Sequence, residues 1–130
     1  MKVDGGLGMG FSPNIAEIAQ EAKSQEDRGY DGIWTAETSH DPFLPLAIAA
    51  EHTEKLEIGT AIAVAFARNP MVLANIGWDL QALSNGRFNL GLGSQIKPHI
   101  TKRFTTSFDE DIHACAPSSS ACADIPFHNT

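Results

Sequence analysis

A chain of 130 residues has room for one domain, the usual allowance being ~100–200 residues each. Nine Lys and Arg against sixteen Asp and Glu leave a net charge of −7, which argues against a nucleic-acid partner, because neutralising phosphates takes clustered cations. No apolar run approaches the ~20 residues of a membrane-spanning helix. No secretory signal is visible at the start, and two cysteines near the C-terminal end cannot frame a disulfide scaffold. These observations predict an ordinary acidic, soluble, cytoplasmic chain with no nucleic-acid or membrane partner.

Val3 to Leu7 reads as a short first strand, weakened by Gly5 and Gly6. Ser12 and Pro13 then read as N-cap and first helical residue, where proline's missing N–H costs nothing. Ile15, Ile18, Ala19 and Ala22 follow at helical spacing, and Gly29 ends that helix as its C′ residue. Ile33-Trp34-Thr35 is the second strand. A second helix begins near Pro42 or Pro45 and runs to about Thr53. Leu56 to Val64 is the third strand, almost continuously apolar from Ile58. Pro70 opens a third helix with Leu73, Ile76, Gly77, Leu80 and Leu83 on one face, and Ser84-Asn85-Gly86 stops it. In that turn Gly86 is expected to supply the left-handed conformation and Arg87 to pair with an acid such as Asp79. Phe88 to Leu92 is the fourth strand.

Strand starts near residues 3, 32, 57 and 88 have the rhythm of βα units feeding a parallel sheet. Four strands and three helices suit an open doubly wound sheet or the first half of a (β/α)8 barrel, and periodicity alone does not choose between them. Residues 105–130 differ in character. They contain no Lys or Arg, four acids (Asp109, Glu110, Asp111, Asp124) and a Ser118-Ser119-Ser120 run. With little apolar surface to offset ordering entropy, they are expected to be a disordered tail.

Several familiar signatures lack their context. Gly6-Leu7-Gly8-Met9-Gly10 does not satisfy G-x-G-x-x-G, so a dinucleotide fingerprint is not expected. His113, Cys115, Cys122 and His128 lack the close Cys pairs of structural zinc sites, so no metal is predicted. No serine has the G-x-S-x-G setting of a hydrolase nucleophile.

Gly29-Tyr30-Asp31-Gly32-Ile33-Trp34 followed by Glu37, then Arg68-Asn69-Pro70, Ala74, Asp79, Leu83-Ser84-Asn85-Gly86-Arg87 and Leu90-Gly91-Leu92-Gly93, occur in an order that resembles the luciferase-like monooxygenase superfamily. Within it the pattern is closest to the oxidoreductases that use the deazaflavin coenzyme F420. The resemblance implies an α/β fold: the N-terminal half, about four βα units, of a bacterial luciferase-like (β/α)8 TIM barrel over residues 1–104, with 105–130 a non-homologous tail from a frameshift or truncation. It implies F420 as cofactor, with FMN as the alternative, and hydride transfer to, or oxygen insertion into, a small organic substrate. In full-length relatives it implies a homo-oligomer.

The resemblance also implies site residues. In F420-dependent relatives the third strand carries a bulge with a non-prolyl cis peptide behind the deazaflavin ring, and the matching bond here is Ala61–Ile62. Gly59, Ala61, Ile62, Gly93, Ser94 and Gln95 are therefore the expected cofactor contacts. Several relatives have an acid–His pair after the second strand. This chain has Glu37 and Thr38 there, with His40 two residues on, so Glu37, Thr38 and His40 are the expected catalytic set. Such sites belong at the carboxyl ends of barrel strands. A different reading is a truncated, catalytically inactive α/β fragment, or a half-barrel module that needs a partner chain.

Overall fold

The computed structural model describes residues 1–8 and 14–104. Within them the chain runs β1 (Asp4–Gly6), α1 (Ile15–Asp27), β2 (Gly32–Thr35), α2 (Leu44–His52), β3 (Glu57–Thr60), β4 (Ala63–Val64), a 3-10 turn (Ala65–Ala67), α3 (Pro70–Leu83), β5 (Phe88–Asn89), β6 (Leu92–Gly93) and α4 (Lys97–His99), followed by a π turn (Ile100–Phe104). β1, β2, β3 and β5 form one parallel sheet in that sequential order. A doubly wound sheet would interrupt the order, so the fold is the half-barrel arrangement of four βα units. The proposed tail and its His and Cys residues lie outside the described residues. Among the described residues no helix is long and apolar enough to cross a membrane.

Register separates the two faces of the sheet. Ile33, Ile58 and Phe88 are aligned across the ladder and share one buried core with Ile18 and Ala22 of α1, Leu46, Ala49 and Ala50 of α2, and Leu73 and Leu80 of α3. α2 packs against both α1 and α3, so the three helices line one side. The next residues along each strand, Gly6, Trp34, Gly59 and Asn89, are also aligned and, by strand alternation, face the other side. A Cβ on Gly59 would come within 2.3 Å of the Trp34 indole. The ring therefore lies over Gly59, and the glycine makes room for it.

Both long strands are shorter than expected. β3 stops at Thr60 and resumes as β4 after a cis Ala61–Ile62 peptide. The fourth strand breaks at Leu90-Gly91 and resumes as β6, which pairs with β4.

The helix ends follow local chemistry. Asn14, not Ser12, caps α1, its side chain accepting from the Ala16 N–H at 3.2 Å; Ser12 and Pro13 lie outside the described residues. At the other end Gly29 has φ +83°, and its N–H reaches the Glu26 carbonyl while the Tyr30 N–H reaches that of Gln25, the Schellman arrangement. α3 ends the same way, but with Asn85 at C′ (φ +53°) and Gly86 following it (φ +84°), so the left-handed step begins one residue earlier than expected. Leu83 is exposed, because the buried stripe runs Leu73, Gly77, Leu80 and on to Ser84.

Arg87 does not pair with Asp79. Its five N–H donors go to the Ser84, Leu56, Ala50 and Thr53 carbonyls and to Thr53 Oγ1, at 2.7–3.2 Å. A planar five-donor fork suits a cluster of carbonyls at the C-terminal end of α2 better than one exposed carboxylate. Burial pulls this guanidinium below its ordinary pKa, and the charge of Glu26 acts against that.

Candidate active site

The parallel strands deliver three segments to their common carboxyl end: the turn after β2, the cis-bonded break between β3 and β4, and the exit from β6. Hydrogen bonds stitch the break to both neighbours. The Ala61 N–H reaches the Thr35 carbonyl (2.7 Å), the Ala63 N–H the Gly91 carbonyl (2.9 Å), and the Glu37 N–H the Ile62 carbonyl (3.0 Å). The Val64 N–H donates to Glu37 Oε2 at 2.6 Å. Glu37 thus holds the break with its main chain and its side chain together.

Glu37 is buried, its side chain only 6% exposed. Oε2 also accepts from Arg68 Nη1 at 2.5 Å, and Arg68 Nη2 donates to Asp41 Oδ2 at 3.1 Å. The Arg68 guanidinium lies 5.2 Å from the centre of the Phe43 ring, a cation–π distance. Burial by itself would lower the Arg68 pKa, but the hydrogen bonds and charges of Glu37 and Asp41 outweigh it and raise the group above its ordinary value.

The remaining expected residues are placed as follows. Thr38 and His40 are exposed on the turn after β2. Ala61 is exposed and Ile62 half-buried. The Ile62 side chain lies against Gly93, where a Cβ would meet its Cδ1 at 2.2 Å. Ser94 is exposed and directly follows β6, and Gln95 has φ +59° with Oε1 3.3 Å from His99 Nδ1. Glu37, Ala61, Ile62, Gly93 and Ser94 therefore meet at one end of the sheet. Gly59 is set apart from them, buried beneath Trp34.

Arg68 and Asp41 belong to this constellation, although the site residues expected from the sequence did not include them. One signal pointed to Arg68. It stands immediately before the N-cap of α3, at the positive end of the helix dipole, where a cation is unfavourable unless acids hold it. Nothing in the spacing pointed to Asp41.

A family model described as luciferase-like monooxygenase matches residues 2–115. The chain belongs to that family. An uncharacterised protein of Mycobacterium tuberculosis is 61% identical over 106 residues, which cover 81% of this chain and 30% of that protein. The coenzyme F420-dependent tetrahydromethanopterin reductase of Methanopyrus kandleri superposes on 78% of this chain with a TM-score of 0.67 and 26% identity, over 30% of its own length. The oxygenating constituent of 3,6-diketocamphane monooxygenase of Pseudomonas putida, solved with FMN, superposes on 89% with a TM-score of 0.74 and 17% identity, over 37% of its length. The chain thus spans about a third of the length of these luciferase-like proteins and matches their fold as a half barrel.

The residues at the carboxyl end suit a planar redox ring. Ala61, Gly91 and Gly93 carry little or no side chain, Ile62 adds apolar surface, and Ser94 and Gln95 add polar groups at the margin. Ile62 covers Gly93 and the Thr60 carbonyl stands against Gly91, so the open part of this wall is the exposed Ala61 and the half-buried Ile62 side chain. Arg68 is committed to two carboxylates and is not a phosphate ligand in this arrangement. Among the described residues no group of His, Cys, Asp and Glu is placed to hold a metal.

Proposed function

We propose that this chain forms the N-terminal half of an F420-dependent oxidoreductase, with FMN as the alternative cofactor, and that its carboxyl-end wall receives the cofactor ring. The observation that carries this reading is the break between β3 and β4, held by Glu37 on one side and Gly91 on the other at the end where parallel-sheet enzymes build their sites. F420 is preferred because the relative that uses it is the more similar in sequence of the two cofactor-using structures. The bound reduced ring supplies hydride to a small organic substrate, or activates oxygen for insertion into it. Ala61, Ile62 and Gly93 form the apolar backing, and Ser94 and Gln95 offer hydrogen bonds at its edge. Thr38 and His40 sit on the substrate side. His40, exposed on the turn beside Thr38, is the general acid or base of the set. Glu37, buried and ion-paired, orients the site rather than exchanging protons with substrate.

One observation favours a second reading, a half-barrel module that acts only with a partner chain. Among the described residues β1 and β5 each have one strand neighbour, and Trp34 on the inner face is only half-buried. A fluorescence titration of the purified protein with F420 and with FMN separates the two readings. The first predicts saturable binding of one cofactor, abolished by Ala61→Phe, which places a ring on the exposed wall. Binding of neither by protein with native circular dichroism contradicts it and leaves the second.

A further inference from the structure

We infer that Arg68 is the positioning residue of this site: a two-ended clamp that fixes the exposed Thr38–Ser39–His40 segment by gripping the acids on either side of it. Glu37 and Asp41 bracket that segment. Arg68 Nη1 takes Glu37 and Nη2 takes Asp41, so one guanidinium spans both ends of the turn. A planar fork presents its two terminal nitrogens to the two acids in a fixed geometry, where an ammonium would share one nitrogen between them.

Each carboxylate is itself anchored. Glu37 Oε2 holds the Val64 N–H. Asp41 Oδ1 accepts from the Phe43 N–H at 2.8 Å and the Leu44 N–H at 3.2 Å, capping α2. The Phe43 ring, buried in the core, underlies the guanidinium. Thr35 Oγ1 donates to the Pro42 carbonyl at 2.8 Å, closing the turn from below. Arg68 therefore joins the exit of β2, the start of α2, β4 and the entry to α3 around a single charge. Three consecutive exposed residues flanked by two acids on one cation form a fixed turn, not a mobile loop. That the turn faces cofactor and substrate rests on the function proposed above; that Arg68 fixes it does not.

Backbone amide exchange in Arg68→Lys, Arg68→Gln and Asp41→Asn proteins, alongside the unaltered chain, tests the clamp without any cofactor. Losing one charged hydrogen bond at the turn is expected to raise exchange of the Phe43 and Leu44 amides, which Asp41 Oδ1 holds, on the order of tenfold, while amides of β2 and β3 keep their protection. Arg68→Lys is the variant least exposed to misfolding, and Asp41→Asn releases one end only. An ion pair that merely stabilises the fold would instead raise exchange in β2 and β3 as much as at Phe43 and Leu44, and that result overturns the proposal, as does unchanged exchange at Phe43 and Leu44. Cofactor affinity is read on the same variants. If the turn loosens while no form binds F420 or FMN, the clamp stands and the cofactor reading fails.

Discussion

Thr60 Oγ1 makes a reciprocal pair with Gly91: it accepts the Gly91 N–H at 2.9 Å and donates to the Gly91 carbonyl at 2.8 Å. One buried hydroxyl thus replaces the ladder bonds that are missing where the fourth strand breaks. A Cβ on Gly91 would stand 2.0 Å from the Thr60 carbonyl oxygen, a backbone atom that cannot rotate away. Thr60→Val, which keeps the shape and removes the hydroxyl, is expected to cost about 1–3 kcal/mol through the Gly91 N–H left without an acceptor, while the Gly91 carbonyl keeps the Ala63 N–H. Gly91→Ala is expected to cost at least as much by overpacking. Urea denaturation followed by circular dichroism measures both.

The Arg87 network gives a paired prediction. Arg87→Lys keeps the charge but leaves several buried carbonyls short of donors, and is expected to lose on the order of 2 kcal/mol or more. Asp79→Asn, at the acid the sequence suggested as its partner, is expected to change stability by less than ~0.5 kcal/mol, as exposed substitutions do. Equal effects at the two positions would show that the carbonyl cluster is not what Arg87 holds.

Glu26 makes folding sensitive to acid. Burial pushes its carboxyl up, but the Lys55, Glu54 and Leu56 N–H groups and the Lys23 ammonium outweigh this and bring it down to about 2 from 4.5. Oε1 receives the Glu54 and Lys55 N–H groups at 2.8 and 2.7 Å. A carboxyl lowered by folding contributes fully above its unfolded pKa, and that contribution is lost as pH falls from about 4.5 towards about 2. Stability in Glu26→Gln should therefore fall less over this range than in the unaltered protein, although it starts lower at neutral pH. Parallel acid titrations of the two would contradict this assignment.

The open inner face predicts self-association. Among the described residues β1 and β5 present edges without a second neighbour, and parallel-strand edges of this kind template pairing with other chains. A polypeptide of residues 1–130 is expected to give light-scattering masses above the monomer's 14.0 kDa. A monodisperse monomer with a cooperative melt would contradict this expectation.

The parallel βα architecture was legible because three βα spacings repeat and each helix carries a buried stripe, whereas the half barrel came from the family resemblance and not from periodicity. The breaks were not legible, because their causes lie in pairs distant in sequence. Leu56 to Val64 reads as one apolar strand, and only the family resemblance pointed to the Ala61–Ile62 bond. Arg87 satisfies backbone carbonyls, which leave no trace in side-chain spacing. Glu37 was found through the resemblance, as the acid that relatives carry after the second strand, whereas Asp41 and Arg68 join it through contacts between residues 27 and 31 positions apart, which no local period encodes.

The most direct test of the cofactor wall is a map of amide chemical-shift changes when F420 or FMN is added to isotope-labelled protein. The account predicts that shifts cluster at residues 37–41, 61–64 and 91–96, at the carboxyl ends of the strands. Shifts centred instead on Lys2, Glu26, Glu54 and Arg87 at the opposite end, or none with either cofactor, would contradict it.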